Sequence, residues 1–396
     1  MVRLTFNPLL LTLLLFLPFN MVFGRSEKIP IVVITDLYHP YQDPGDNLDL
    51  IMGFGLPDVE LKAVLLDITD AFRKPVADHP TLWKDPRGPR EAGIIPIEQL
   101  NYIFGKSVPY GIGPLSMMKS EDDKMNYLPL NEQNAVNILL QVLKESKERV
   151  KILSFGSARI IAVAFNRDPQ LLKKKISKIY LSAGTASNDF ELGKDEGANS
   201  IPGGEWNVAL DVCAYNRILK SELPVAIYPC AGKDGAFSKD VNDSYWQLPD
   251  MRFVLQMNQQ LQQYIDFAFN KKLQSDFLRA MDLSNSVCIN YKSYPSPFHF
   301  WESAVWLNAT NRRIILDYKG HYQIVKGASS ANSWRGIEGG LRFCRLDEIK
   351  DDGRFRFSYT DKRSLKEIYY RKDVVENEKA LQIVIPELYI SIKPNK

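Results

Sequence analysis

Cysteine and histidine are scarce, with four of each in 396 residues. The cysteines (Cys213, Cys230, Cys288 and Cys344) form no close pairs. That argues against a disulfide-built scaffold and against a zinc site of the CxxC kind; one or two disulfides are the most the count allows. No sign of charge dominates. Fifty Lys and Arg stand against 47 Asp and Glu, for a net charge of +3. A nucleic-acid binder usually carries a concentrated basic surface, so no nucleic-acid partner is expected. Gly and Pro, 23 of each, are at ordinary levels, which removes collagen-like and low-complexity classes. After the N-terminus no run is apolar enough to cross a bilayer, since a spanning helix needs about 20 apolar residues.

The one long apolar stretch opens the chain. Residues 1–24 carry a single charge, Arg3, and then Leu9–Phe19, a stretch interrupted by Pro18. Val22 and Gly24 occupy positions −3 and −1 of a cleavage point before Arg25. This is the layout of a secretory signal peptide. It predicts a secreted or periplasmic protein with no membrane insertion after cleavage, and a mature region of 25–396. Asn242-Asp-Ser244 and Asn308-Ala-Thr310 match the N-glycosylation acceptor sequence.

The body alternates strand and helix patterns. Ile29–Thr35, Val59–Leu66, Val150–Phe155, Ile176–Ala183 and Pro224–Pro229 are apolar runs of strand length, the mark of strands buried on both faces. Between them, Leu48–Phe54, 132–147, 157–167 and 208–221 read as helices; Ala135, Ile138, Leu139 and Val142 recur at helical spacing. The order predicts one continuous α/β domain with a mostly parallel central sheet flanked by helices. Such sheets bind ligands at the carboxyl ends of their strands. Phe253–Phe269 reads as helical. Phe355–Tyr359 and Leu381–Ile385 read as late strands, so that residues from about 312 to 396 form a C-terminal appendage of short strands. Residues 111–130 and 185–204 read as long loops, a length that is often functional.

Chemistry concentrates just after the first strand. Asp36, Asp43, Asp46, Asn47 and Asp49 fall within fourteen positions. Carboxylates crowded in this way repel one another unless a cation neutralises them, and Ca²⁺ takes several oxygen ligands. Asp46 and Asn47 would equally serve as caps of the following helix. The pattern alone leaves a metal site and an Asp-rich capped turn equally open.

In these residues the chain resembles the nucleoside hydrolases, the inosine–uridine preferring N-ribohydrolases. Asp43-Pro-Gly-Asp46-Asn47 is similar to the core of that family's calcium-binding DxDPGxDD motif. Leu153-Ser-Phe-Gly156-Ser resembles its LGPLTN corner, and Tyr180–Gly184 its MGG strand end. Asn199–Asp211 resembles its NxxPxAEFNxxxDP segment with matching spacing. The chain departs from the family in two places. Six residues separate Asp36 from Asp43 where the family has one, and Trp301-Glu302-Ser303 stands where the family has HDP.

The resemblance implies a Ca²⁺-dependent hydrolase cleaving the N-ribosidic bond of a small nucleoside or ribosyl substrate. It implies Asp43 as general base, with Asp36 or Asp46 as the fallback. It implies calcium ligands among Asp43, Asp46, Asp49, the Phe155 carbonyl and Glu302, and leaves open which of Asp46, Asn47 and Asp49 replaces the family's bidentate ligand. Asn47, Asp70, Asn199, Glu205 and Asn207 would grip the sugar, with Trp206 and Trp301 against the base. His299 is the candidate proton donor to the leaving base, because Trp301 occupies the usual position. Family members are often dimers or tetramers, so a homo-oligomer is carried over as an expectation. Two rivals remain: a non-catalytic relative that binds a nucleoside or sugar, and a different metal-dependent hydrolase such as a phosphoesterase.

Overall fold

The computed structural model of the chain describes residues 28–40, 44–72, 91–190, 205–270, 272, 275–284, 288–327 and 334–394. The segment read as a signal peptide lies outside the described residues, as do Asp43 and Asn199.

The elements run β1 (Ile29–Thr35), β2 (Tyr38–His39), α1 (Gly45–Gly55), β3 (Val59–Leu66), β4 (Glu91–Ala92), α2 (Ile94–Phe104), β5 (Tyr110–Ile112), α3 (Asn134–Glu145), β6 (Val150–Phe155), α4 (Arg159–Arg167), α5 (Pro169–Lys175) and β7 (Ile176–Ser182). They continue with α6 (Trp206–Leu210), α7 (Val212–Leu219), β8 (Val225–Tyr228), β9 (Trp246–Leu248), α8 (Gln259–Phe269), β10 (Phe298–Phe300) and α9 (Ser303–Ala309). The last are β11 (Arg312–Asp317), β12 (Tyr322–Lys326), β13 (Trp334–Ile337), β14 (Gly340–Ile349), β15 (Phe355–Tyr359), β16 (Lys366–Tyr370) and α10 (Val374–Ser391).

Among the described residues a nine-stranded sheet takes the order β15-β14-β16-β8-β7-β6-β1-β3-β5. The strands from β16 to β5 are parallel, and β14 and β15 add an antiparallel edge. The expected α/β sheet with extra C-terminal strands is therefore what forms. A parallel strand is covered on both faces and must be apolar at nearly every position. In β1, Ile31 and Val33 enter a core shared with α1, α2, α8, α9 and α10. Val32 and Ile34 enter a second core, on the other face, with α3, α4 and α7.

Four expectations need correction. Leu381–Ile385 is helical, not a strand: it lies inside α10, where Asn377, Ala380, Leu381, Val384, Ile385 and Tyr389 are buried at helical spacing. The helix expected over 208–221 breaks at Asp211, whose side chain accepts from Ala214 N and caps α7. Asp46 and Asn47 do not cap α1; its N-cap is Pro44, without a side-chain hydrogen bond. The cysteines form no disulfide, since all four are free. Both asparagines of the glycosylation sequons are hydrogen-bonded through their side chains in the folded chain. Asn242 Nδ2 donates to the Tyr359 hydroxyl and the Tyr369 carbonyl, both at 2.7 Å, and Asn308 Nδ2 donates to the Tyr228 hydroxyl at 3.0 Å.

The C-terminal segment is woven into the rest. β16 pairs with β8, and fully buried Arg371 reaches Asp243 at 2.5 Å. Truncating Leu381, 1% exposed on the inner face of α10, to Ala is expected to cost about 2–5 kcal/mol by cavity formation. Chemical denaturation of the full chain measures this; an unchanged midpoint would show that α10 does not pack as a core element.

Candidate active site

The carboxyl ends of β1, β6 and β7 lie side by side, because Thr35 is in register with Phe155 and Ser154 with Leu181. Parallel pairing therefore brings three sequence-distant loops to one edge. Thr35 ends β1, and its hydroxyl donates to Asp46 Oδ1 at 2.8 Å. Asp46 lies in the first turn of α1, where a negative charge suits the helix dipole. Asp49 follows one turn later and is 4% exposed. Asp36, the residue after β1, is also buried, and its Oδ2 accepts from the Trp206 indole at 3.1 Å. The close approach has a cause at Gly156, where an added Cβ would sit 3.2 Å from the Asp36 amide.

Glu302 arrives from a distant part of the sequence, at the start of α9. Its Oε1 accepts from the Ser182 hydroxyl at 3.0 Å, at the end of β7. Asn207 Nδ2 donates to the Ser182 carbonyl at 2.8 Å. Ser182 thus joins two residues singled out from the sequence; the stretch Tyr180–Gly184 around it was noted as a strand end, but Ser182 itself was given no role. Asn47 is buried, and both its carbonyl and its Oδ1 accept from the Tyr264 hydroxyl at 3.3 Å. Its Nδ2 has no hydrogen-bond partner.

Other candidates have local duties. Glu205 Oε1 accepts from Asn207 N at 3.0 Å; Oε2 accepts from Gly184 N at 2.9 Å and Val208 N at 3.0 Å. It is the N-cap of α6, and burial pushes its carboxyl up to about 7 against the pull of those backbone donors. Asp70 is exposed, and its amide is bonded to the Leu115 carbonyl. Trp301 Nε1 donates to the Cys230 and Ala236 carbonyls at 2.9 and 3.2 Å. His299 Nδ1 lies 2.8 Å from the Tyr245 hydroxyl. Burial, with Lys239 nearby, holds the imidazole below its ordinary value, so it is neutral at neutral pH. Phe237, Tyr245, His299 and Trp301 form one aromatic cluster with ring centroids 4.9–6.3 Å apart.

A buried polar network behind this edge escaped the sequence reading. Arg159, fully buried, donates to Thr69 Oγ1 at 2.6 Å and faces Asp67 at 3.3 Å and Asp211 at 3.5 Å. Ser157 Oγ donates to Asp67 Oδ2 at 2.7 Å. The network ties the ends of β3 and β6 to the α6–α7 corner. A signal existed: an arginine leading directly into the apolar run Ile160–Phe165 needs an acid partner if it is buried with that run, and Asp67 follows an apolar strand.

The donors at this edge are carboxylates, a side-chain amide and a backbone carbonyl, an all-oxygen set that fits a hard cation. Among the described residues no group of three or more His, Cys, Asp or Glu closes on one point. Asp43, the first member of the motif, lies outside them.

The sequence profile described as inosine-uridine preferring nucleoside hydrolase matches residues 89–326, more than half of the chain. The chain belongs to this family. The matched span holds Phe155, Glu205, Asn207 and Glu302, and begins after the Asp36–Asp49 segment. The pyrimidine-specific ribonucleoside hydrolase RihA of Salmonella schwarzengrund (strain CVM19633) is 25% identical over 203 residues, 50% of this chain and 59% of that protein. RihA of Salmonella enteritidis PT4 (strain P125109) is 24% identical over 203 residues. The chain therefore spans only about 59% of the length of these relatives. Among solved structures, an inosine-guanosine nucleoside hydrolase aligns over 89% of this chain and 97% of its own, at 13% identity and TM-score 0.48. A plant nucleoside hydrolase, PpNRh1, aligns over 90% and 98%, at 12% identity and TM-score 0.47.

Replacing Glu205 by Ala leaves three buried N–H groups without an acceptor and is expected to cost about 2–4 kcal/mol. Its folded-state value lies above the ordinary one, so its contribution to stability is present below about 4.5 and is lost as pH rises through about 7. Glu205→Gln should flatten the pH dependence of stability in that window. Thermal melts at several pH values test both; a wild-type melt for Glu205→Ala would exclude the capping role.

Proposed function

We propose that the chain is a secreted, Ca²⁺-dependent nucleoside N-ribohydrolase that uses an aspartate as general base. One observation carries the reading: acids from distant parts of the sequence, Asp46 and Glu302, are hydrogen-bonded to the last residues of β1 and β7, at the carboxyl edge where open α/β sheets bind ligands. Family membership supports hydrolysis of an N-ribosidic bond.

Asp46, Asp49, Glu302, the Phe155 carbonyl and Asp43 would hold the cation. The chemistry such an ion supplies is a more acidic, oriented water. Asp43 would take the proton from the attacking water, with Asp36 or Asp46 as the fallback; the Trp206 indole keeps the Asp36 carboxylate in one orientation. The buried carboxylates also favour the positive charge that grows on the sugar ring as the bond to the base lengthens. Asn207 and Asn47 face the sugar, Asn47 with its unbonded Nδ2. Glu205 sets the position of Asn207 through the α6 N-terminus. His299, neutral, with Tyr245 and Trp301, lies on the side of the leaving base. A proton handed to that base must first be gained by His299, so leaving-group assistance should strengthen toward acid pH.

One observation favours a second reading, a nucleoside- or sugar-binding relative without turnover. The Glu205 carboxylate is already filled by backbone donors, which removes one grip on the sugar.

Reducing-sugar release from uridine, cytidine, inosine and guanosine separates the readings. The enzyme should be silenced by chelator and restored by Ca²⁺, and Asp49→Asn should lower kcat by about a hundredfold or more. Tight nucleoside binding with no release under any of these conditions would establish the second reading. Export should yield a mature chain beginning at Arg25; intact-mass measurement of secreted material showing residues 1–24 still attached would overturn the leader assignment.

A further inference from the structure

Ser182 and Cys230 meet at the carboxyl ends of β7 and β8. The two strands are parallel, with Ser182 in register with Tyr228. The chain runs on past β8 and brings Cys230 Sγ within 3.2 Å of Ser182 Oγ. Both residues are buried. Between them they hold Glu302 at two levels. Its carboxylate accepts from the Ser182 hydroxyl at 3.0 Å. The residue before it, Trp301, donates its indole N–H to the Cys230 carbonyl at 2.9 Å.

The available hydrogens set the direction of this chain of contacts. A hydroxyl has a single hydrogen, and an ionised carboxylate only accepts. Ser182 gives its hydrogen to Glu302, so in the contact with Cys230 the sulfur is the donor. Burial pushes the Cys230 thiol well above its ordinary range, so it has a hydrogen to give. The Tyr228 carbonyl, the other acceptor in reach of that thiol, is farther away at 3.6 Å. A hydroxyl that accepts one hydrogen bond becomes a stronger donor in the next. A glutamate also loses rotamer freedom when its carboxylate is fixed at one point, and the Ser182 hydroxyl offsets that cost. The other oxygen of Ser182 serves the sugar side, where its carbonyl accepts from Asn207 Nδ2 at 2.8 Å.

We propose that Ser182 and Cys230 are positioning residues for the acidic site: the thiol donates to the hydroxyl, the hydroxyl donates to Glu302, and that carboxylate is thereby oriented for a divalent cation. This rests on the cation reading given under Proposed function. Neither residue is a ligand; both act through Glu302. Carboxylates that hold a metal are commonly oriented by hydrogen-bond donors behind them.

Ser182→Ala removes the hydroxyl and keeps the carbonyl that holds Asn207, so the acid side is tested alone. The full chain is titrated with Ca²⁺ by calorimetry, and the Ca²⁺-induced rise in melting temperature is recorded. Ser182→Ala should lower Ca²⁺ affinity about 10- to 100-fold and shrink that rise. Cys230→Ala leaves Ser182 in place without its donor and should show a smaller loss in the same direction. Cys230→Ser supplies a donor again and should return the affinity toward wild type. Wild-type affinity in Ser182→Ala overturns the proposal and leaves the cation reading intact. An equal loss in Cys230→Ala and Cys230→Ser overturns the role of the thiol, since packing of the sulfur and not donation would then be the cause. Should Ser182→Ala fail to fold, wild-type affinity in Cys230→Ala overturns the proposal. A wild-type chain that binds no Ca²⁺ overturns both the proposal and the reading beneath it.

Discussion

Buried carboxylates at one edge of a parallel sheet are the constraint around which this molecule is arranged. Asp36 and Asp49 are nearly inaccessible and Glu302 is half-buried, and a buried carboxylate is costly unless it is hydrogen-bonded. Hydrogen-bond donors from separate elements hold them in place. Thr35 serves Asp46, Trp206 serves Asp36, and Ser182 serves Glu302. These donors occupy strand ends and a helix start, so the acids are fixed to the rigid part of the fold.

The same logic recurs behind the edge with the sign reversed. Arg159 and Arg371 are fully buried cations, and each is matched by acids brought from more than forty residues away, Asp67 and Asp211 in one case and Asp243 in the other. Arg312 is paired with Asp58 at 2.7 Å. A buried pair adds little net stability compared with an apolar pair of the same shape, but breaking one partner is costly. Their use here is geometric. Arg159 holds the ends of β3 and β6 against the α6–α7 corner, and Arg371 holds the loop that carries Tyr245 against the C-terminal segment. Substrate-side groups on these loops thereby inherit the stiffness of the core.

Most of the parallel sheet was legible because strands buried on both faces leave an unbroken apolar signature, as in Ile29–Thr35 and Val150–Phe155. The C-terminal region was legible only in part. Leu381–Ile385 looks like a strand over five residues, whereas its helical period emerges only across the full length of α10. Asp211 was taken into one helix, because a mid-helix cap is visible only when Arg159 is seen on its other side. Among site residues, the acids stood out by crowding, while the helix-capping bonds of Glu205 to Gly184, Asn207 and Val208 were not foreseen beside its reading as a sugar contact. A carboxylate that caps a helix and one that grips a ligand have the same sequence context.

What the residues alone determined is chemical: an acid-rich turn after an apolar strand, an Asn–Glu–Asn segment, and a family resemblance that orders them. These are local properties, carried by side-chain type and short spacing. What only the tertiary structure decided is which distant groups meet. Ser182 joins Glu302 to Asn207, Gly156 lets Asp36 approach the β6 loop, and the end of α10 lies against α1. Such meetings depend on strand register and helix packing summed over the whole chain, and no window of sequence contains them.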